Sequence, residues 1–454
     1  MQVTQWEDKN LAQYSYGILS DGEKKVVLID PARNPQPYLD YAKTHNAEII
    51  GIIETHPHAD FVSGHLELHQ LTGAVIYTHS QAGAAYPHTA FDEGDTIAFG
   101  NIRLTAHHTP GHSPDSITIV LEHEGNPKAV FTGDTLFIGD CGRPDLREGA
   151  GNVKGTRQEL AIKMYHSLRN TLMPLPNDVV LYPGHGAGTL CGKELSNAAS
   201  STIGQEKETN WCLQPMTKHA FVQTLLQDQP FIPAYFPYNV EVNRKGAAPF
   251  KESIAAVETG KTVKTEKDAE RFAKDVWVVD ARPEKKYKKG HLPRSINLME
   301  DSKFETWLGS VIQPEEPFYL AGESTEQLQH LIERAAAIGY EPQIRQAFIL
   351  ENAAVTSDRL DIAAFKKNLE GYTIVDVRNE AEVKEARFFK NSITIPLAYL
   401  RQRINELPTD KPVVVHCAGG YRSAAASSII KSMVNGKVDV LDLGEAVTEF
   451  QRIA

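Results

Sequence analysis

Short apolar runs and polar clusters alternate along this chain, and the alternation has the same form four times before residue 190. The runs IIGIIE, AVF and DVVL are short, continuous and rich in β-branched residues, which predicts buried strands. The run IRLTAHH predicts a looser strand. Each run leads into a polar cluster. These are Thr55-His56-Pro57-His58-Ala59-Asp60, Pro110-Gly111-His112, Thr132-Gly133-Asp134 and Tyr182-Pro183-Gly184-His185. Imidazoles and carboxylates gathered at strand ends are a means by which a rigid sheet presents ligands to a metal. Histidine is the commonest ligand, and aspartate adds the charge that holds a divalent cation.

A second pattern occupies the C-terminal part. The apolar run Pro412-Val413-Val414-Val415-His416 predicts a buried strand and AAASSIIKSMV a helix, with Cys417-Ala418-Gly419-Gly420-Tyr421-Arg422-Ser423 between them. A cysteine between a strand and a helix N-terminus faces free backbone N–H groups and the positive end of the helix dipole, and both favour the nucleophilic thiolate. The glycines let the backbone fold around an anion, and Arg422 adds a fixed positive charge. Upstream, the strand-like run Ile374–Val377 leads into Arg378-Asn379-Glu380. The Asp-x-Arg-x-Glu pattern of Asp376–Glu380 also occurs at Asp280–Glu284, 96 residues earlier. The same offset sets Ala321 opposite Cys417, in a stretch with neither a cysteine nor a loop arginine. The first copy is therefore expected to be catalytically silent, with a scaffold or docking role.

The ordered motifs of the N-terminal part resemble the metallo-β-lactamase superfamily, most closely its glyoxalase II-like branch. The resemblance implies an α/β fold, an αββα sandwich with the metal at one edge of its two sheets. The first motif of that superfamily is His-x-His-x-Asp-His. Here His56, His58 and Asp60 are present, but Phe61 replaces the last histidine, which in dinuclear hydrolases binds the second metal. The persulfide dioxygenases of the superfamily use one iron(II) held by two histidines and one aspartate. Carried over, those ligands are His56, His112 and Asp134, with one Fe(II) per chain and zinc as the alternative. His58, Asp60 and His185 then either orient ligands and water or ligate directly, as in the hydrolases. Gly139–Asp145 is similar to the loop that follows the aspartate in the dioxygenases. Arg143 either faces an anionic substrate or pairs with Asp145. Cys191, six residues after His185, is either a sulfur-handling thiol near the metal or a packed residue of a Gly-rich loop.

Cys417 and Arg422 are separated by four residues, one fewer than in the cysteine phosphatases. The shorter loop resembles the rhodanese family, which moves sulfane sulfur as a cysteine persulfide. That resemblance assigns Cys417 and Arg422 to catalysis and Ala418, Gly419, Gly420, Tyr421 and Ser423 to an anion- and persulfide-binding loop.

Composition narrows the picture further. A chain of 454 residues exceeds what one core usually supports. Motif spacing places a metallo-β-lactamase-fold domain over residues 1–250, a silent rhodanese-like domain over 260–352 and an active one over 356–454. A net charge of −11 argues against nucleic acid as a partner. No apolar run approaches the ~18 residues a membrane span needs. Four cysteines are too few for a disulfide scaffold and suit a reducing cytoplasm. The whole chain resembles bacterial persulfide dioxygenase–rhodanese fusions. The resemblance implies a low-molecular-weight thiol persulfide, O2, sulfite and thiosulfate as reaction partners, and a homo-oligomer. Two further readings stand beside it: a zinc-dependent thioester hydrolase with appended rhodanese modules, and a non-enzymatic sulfur carrier or scaffold.

Overall fold

A computed structural model describes residues 1–146, 148, 155–193, 195–301 and 303–450. The chain forms two compact units, Met1–Glu252 with Ala336–Gly339, and Ser253–Ala335 with Tyr340–Ala454.

The first unit is built on two six-stranded sheets. One contains β1 (Gln2–Asp8), β2 (Gln13–Ser20), β3 (Lys25–Ile29), β4 (Glu48–Ile53), β5 (Val75–Thr78) and β6 (Thr89–Ala90), in that spatial order. The other contains β7 (Thr96–Phe99), β8 (Ile102–His108), β9 (Ile117–His123), β10 (Asn126–Gly133), β11 (Val180–Pro183) and β12 (Ser201–Thr202), ordered β12-β11-β10-β9-β8-β7. The two-residue period of the strands explains the layers. Val27 and Ile29 of β3 meet Ile119, Leu121 and Phe131 of the facing sheet in one core. Val26 and Leu28 point the other way and pack with Tyr38, Ala42 and Leu68, which lie on the helices Gln36–Thr44 and His65–Thr72. Val120, Val130 and Leu181 likewise meet Ala161, Met164 and Phe221 of the helices Arg157–Ser167 and Lys218–Leu226. This is the αββα sandwich expected from the motifs.

The second unit holds two four-stranded sheets. One is ordered β14-β13-β15-β16, from β13 (Trp277–Asp280), β14 (Ser295–Asn297), β15 (Phe318–Gly322) and β16 (Ile344–Ile349). The other is ordered β18-β17-β19-β20, from β17 (Thr373–Asp376), β18 (Ile393–Thr394), β19 (Val413–His416) and β20 (Val440–Asp442). All their strand pairs are parallel, and their centres are apolar on both faces, as parallel sheets require.

The repeated Asp-x-Arg signature is a structural clamp in both copies. Arg378 donates to both carboxylate oxygens of buried Asp376 and to the Ala386 carbonyl, and Arg282 donates to Asp280 and to the Gly290 carbonyl. The strand register corrects one alignment made from sequence spacing. Asp376 pairs with His416, whereas Asp280 pairs with Ala321. Gly322, not Ala321, is therefore the counterpart of Cys417. One extra residue between β13 and β15 displaces the constant offset, and the corresponding position, Gly322, still lacks a thiol.

Removing one partner of such a buried pair leaves the other charge uncompensated. Arg378→Ala is expected to destabilise the second unit by about 3–5 kcal/mol, read as a lower denaturant midpoint, because Asp376 cannot reach water.

Candidate metal centre and cysteine loop

The ligand clusters of the first unit all leave the same end of the sandwich. His56 follows β4, His112 follows β8, Asp134 follows β10 and His185 follows β11. Close backbone approach brings them together. Gly133 has φ +47°, and a Cβ there would stand 2.6 Å from the Thr55 hydroxyl. A Cβ on Gly184 would stand 2.6 Å from Asp134 Oδ1.

His56, His112 and Asp134 present one ligand atom each, all within 4.8 Å of one another and all buried. Asp134 Oδ2 is 3.5 Å from His112 Nε2 and 3.9 Å from His56 Nε2. Both imidazoles are held from behind. The Thr55 hydroxyl donates to Asp30 at 2.7 Å, so its oxygen can only accept from His56 Nδ1, at 3.1 Å. His112 Nδ1 donates to the Arg143 carbonyl at 3.0 Å. Each Nε2 is thereby left as a lone pair facing the centre. Burial lowers the pKa of both rings and keeps them neutral, as ligation requires. His56 Nε2 and Asp134 Oδ2 are buried without a hydrogen-bond partner, a costly arrangement that a cation would resolve. The residues present fit a divalent metal.

The remaining motif residues divide. His185 lies between two carboxylates, with Nδ1 2.7 Å from Asp134 Oδ1 and Nε2 2.7 Å from Asp60 Oδ2. Burial opposes its charge, but Asp134 and Asp60 outweigh that and hold it well above the ordinary histidine range. Burial likewise works against ionisation of Asp134, yet His185 and then His112 hold its carboxyl well below the usual range. His58 turns away from the triad to Asp30, 3.0 Å off, and to Glu54 at 3.7 Å. Its ring lies 4.3 Å from that of Phe61. Cys191 is buried, and its thiol belongs to a cluster with Asp60 and His185. Burial, then Asp60, pushes that thiol well up and disfavours the thiolate.

Of the two roles open to Arg143, the structure shows the pair with Asp145. The arginine grips Asp145 through two bonds of 2.7 Å and donates to the carbonyls of Leu190 and Pro230. Its donors are spent on the protein itself, and only its carbonyl reaches the centre, through His112. Three supports escape the motif reading: Asp30, Glu54 and Asn243. Asp30 directly follows β3 at the same sheet edge, which is the one signal that could have marked it. Asn243 donates to the carbonyls of His58 and Phe61 and accepts from Ser63 N–H, fixing the first motif loop.

In the second unit Cys417 sits between β19 and the helix Tyr421–Val434, as the sequence predicted. Its Sγ accepts the Gly420 N–H at 3.1 Å, and Gly420 has φ +105°. Ser423 Oγ donates to the Gly420 carbonyl and closes the turn. Ala418 and Gly419 are exposed, so the loop opens to solvent. The Tyr421 hydroxyl leaves the loop and donates to the Met299 carbonyl of the first rhodanese-like module. Arg422 is engaged by Glu382 at 2.6 and 2.8 Å. Sequence spacing singled out Glu380; the acid that matters is Glu382, marked by its place three residues after the helix-capping Asn379. His416 is buried next to Cys417, and burial pushes it down to about 4, so it is neutral.

Comparison with known proteins follows the same division. Residues 11–185 match the Metallo-beta-lactamase superfamily, and residues 261–351 and 361–451 each match the Rhodanese-like domain. A probable hydroxyacylglutathione hydrolase of Schizosaccharomyces pombe is 33% identical over 222 residues, 43% of this chain and 80% of that protein. The mitochondrial persulfide dioxygenase ETHE1 of Homo sapiens is 31% identical over 195 residues, 42% of this chain and 68% of that protein. Among solved structures, a metallo-beta-lactamase from Staphylococcus aureus subsp. aureus COL superposes with a TM-score of 0.67 at 29% identity. It covers 77% of this chain and 98% of its own. No helix among the described residues is long and apolar enough to cross a membrane.

The support behind His56 can be tested alone. Thr55→Val keeps the shape but removes the oxygen that fixes the His56 tautomer. It is expected to lower metal affinity by about tenfold or more, measured by competition with a chelator, while the melting transition of the loaded protein stays cooperative.

Proposed function

We propose, for a chain that belongs to the metallo-beta-lactamase superfamily and carries two rhodanese-like domains behind that fold, a sulfur-oxidising enzyme with two working sites. The first unit oxidises an organic persulfide with O2 and water to the free thiol and sulfite, at one iron held by His56, His112 and Asp134. Cys417 exchanges sulfane sulfur with sulfite or thiosulfate. The observation that carries the reading is the division of labour around Asp134. Three ligand atoms converge on one point beside the unpartnered Asp134 Oδ2, while Phe61 removes one imidazole from the superfamily's second position and His185 lies between the Asp134 and Asp60 carboxylates.

Iron(II) bound there supplies open coordination positions and redox chemistry with O2, in the donor set of non-heme iron oxygenases. The chain does the rest. Asp30, through Thr55, and the Arg143 carbonyl fix the two imidazoles. His185 keeps Asp134 ionised and oriented. At the other site the Gly420 N–H donates to Cys417 Sγ, which stands at the N-terminal end of the helix Tyr421–Val434. The Cys417 thiolate attacks the outer sulfur of a donor, the donor's S–S bond breaks, and its electron pair leaves with sulfite or thiol.

One observation favours a second reading. Asp60, His185 and Cys191 also lie within ligand distance of one another, and a hydrolase relative is 33% identical. A two-zinc thioester hydrolase would require His185 to exchange Asp60 for a metal ion.

Asp134→Ala removes the only anion of the triad. It is expected to abolish both metal retention, by elemental analysis of anaerobically purified protein, and persulfide-dependent O2 uptake. Retention of O2 uptake by this variant would count against the site. Cys417→Ser should keep O2 uptake but shift the product from a mixture of thiosulfate and sulfite to sulfite alone. Equal thiosulfate turnover by wild type and variant would remove Cys417 from the scheme.

A further inference from the structure

The loop cation beside Cys417 is already occupied. Arg422 points its Nη1 and Nη2 at the two carboxylate oxygens of Glu382, at 2.6 and 2.8 Å, a bidentate charge-assisted pair. The pair is only partly shielded: the side chains are 15% and 35% exposed. Across the guanidinium stands Trp307 of the silent module, with its ring centre 5.9 Å from Arg422 Cζ. Arg422 thus sits between an anion from its own module and an aromatic face from the neighbouring one. Burial opposes the charge of Glu382, yet Arg422 holds its carboxyl below the usual range.

A negatively charged sulfur donor needs this same guanidinium. When the Cys417 thiolate attacks the outer sulfur of thiosulfate, a Cys417–sulfur bond forms and the bond to the sulfonate sulfur breaks. Its electron pair leaves with sulfite, so a thiolate and a dianion become a persulfide anion and a sulfite dianion. The group that carries most of that charge before and after the step is the sulfonate, and Arg422 is the fixed cation of the loop. A donor that engages it must compete with Glu382.

The geometry points to Glu382 as the residue that sets the charge preference of the Cys417 site, by neutralising Arg422 and so weakening the binding of dianionic sulfur donors relative to donors of lower charge. This rests on the rhodanese reading of Cys417 and names the donor class that its loop selects. Glu382 is a positioning residue that acts through Arg422.

The silent module shows that the fold does not need an acid here. Its helix Glu284–Lys289 matches the helix Glu380–Glu385 residue for residue, and Lys286 stands where Glu382 does. Lys286 pairs instead with Glu323. The second duty of Glu382, accepting the Asn379 N–H at 3.0 Å in a capping box, is one that glutamine performs equally well.

The test uses the full chain under anaerobic conditions, so that only the sulfur-transfer half-reaction runs. Single-turnover loading of Cys417 is followed by sulfite release and by mass mapping of the persulfide. Thiosulfate, a dianion, and a simple alkyl persulfide, which carries at most one negative charge, serve as the two donors. Glu382→Gln is expected to raise the ratio of kcat/KM for thiosulfate to that for the alkyl persulfide by about fivefold, the scale of a part-exposed ion pair. The gain should lie in KM and shrink in high salt. Glu382→Lys, the residue that the silent module carries at this position, should enlarge it. If both variants slow the two donors alike, Glu382 only holds the structure and the inference is overturned. If wild-type Cys417 takes sulfur from neither donor, the rhodanese reading itself fails, and the result is distinct from the first.

Discussion

The first unit depends on how one carboxylate is divided. Asp134 gives Oδ1 to His185 and turns Oδ2 toward His56 and His112. Buried carboxylates are stable only when paired. His185 supplies the pairing that keeps Asp134 charged, and it is in turn balanced by Asp60 on its far side. The result is a buried row of alternating charge in which Asp134 Oδ2, without a hydrogen-bond partner, faces two neutral imidazoles. The row also accounts for Phe61. With the imidazole of His185 already held on both sides, an apolar ring can fill the space behind the first motif, where it packs on His58 and borders the His185 ring.

Much of this was legible in the sequence because the signals are local. Apolar runs of strand length ending in His, Asp and Gly place ligands at one sheet edge. Side-chain direction was less legible. His58 follows His56 by two residues and looks equivalent to it, but it turns to Asp30 and Glu54, whose nearness follows from the pairing of β3 with β4. Arg143 looks like an anion-binding residue until Asp145 and two distant carbonyls take up its donors. Such choices are settled by partners remote in sequence.

The two rhodanese-like modules show the same limit from the other side. Their Asp-Arg clamps are built alike down to the carbonyl that each arginine reaches, so the repeat was visible from residue types alone. The single-residue shift between β15 and β19 was not, since a constant offset assumes equal loops. The residues that distinguish the second module from the first are few: a thiol at the strand end, a loop arginine, and an acid in place of Lys286. The first copy still touches the cysteine loop of the second, through the Met299 carbonyl that receives Tyr421 and the Trp307 ring that faces Arg422.

Metal content and reaction are most directly joined in one preparation. Wild-type protein purified without oxygen should contain one iron per chain and little zinc. On addition of a thiol persulfide it should consume O2 in step with the sulfur it oxidises. Two tightly held zinc ions per chain, with thioester hydrolysis and no O2 uptake, would contradict the account.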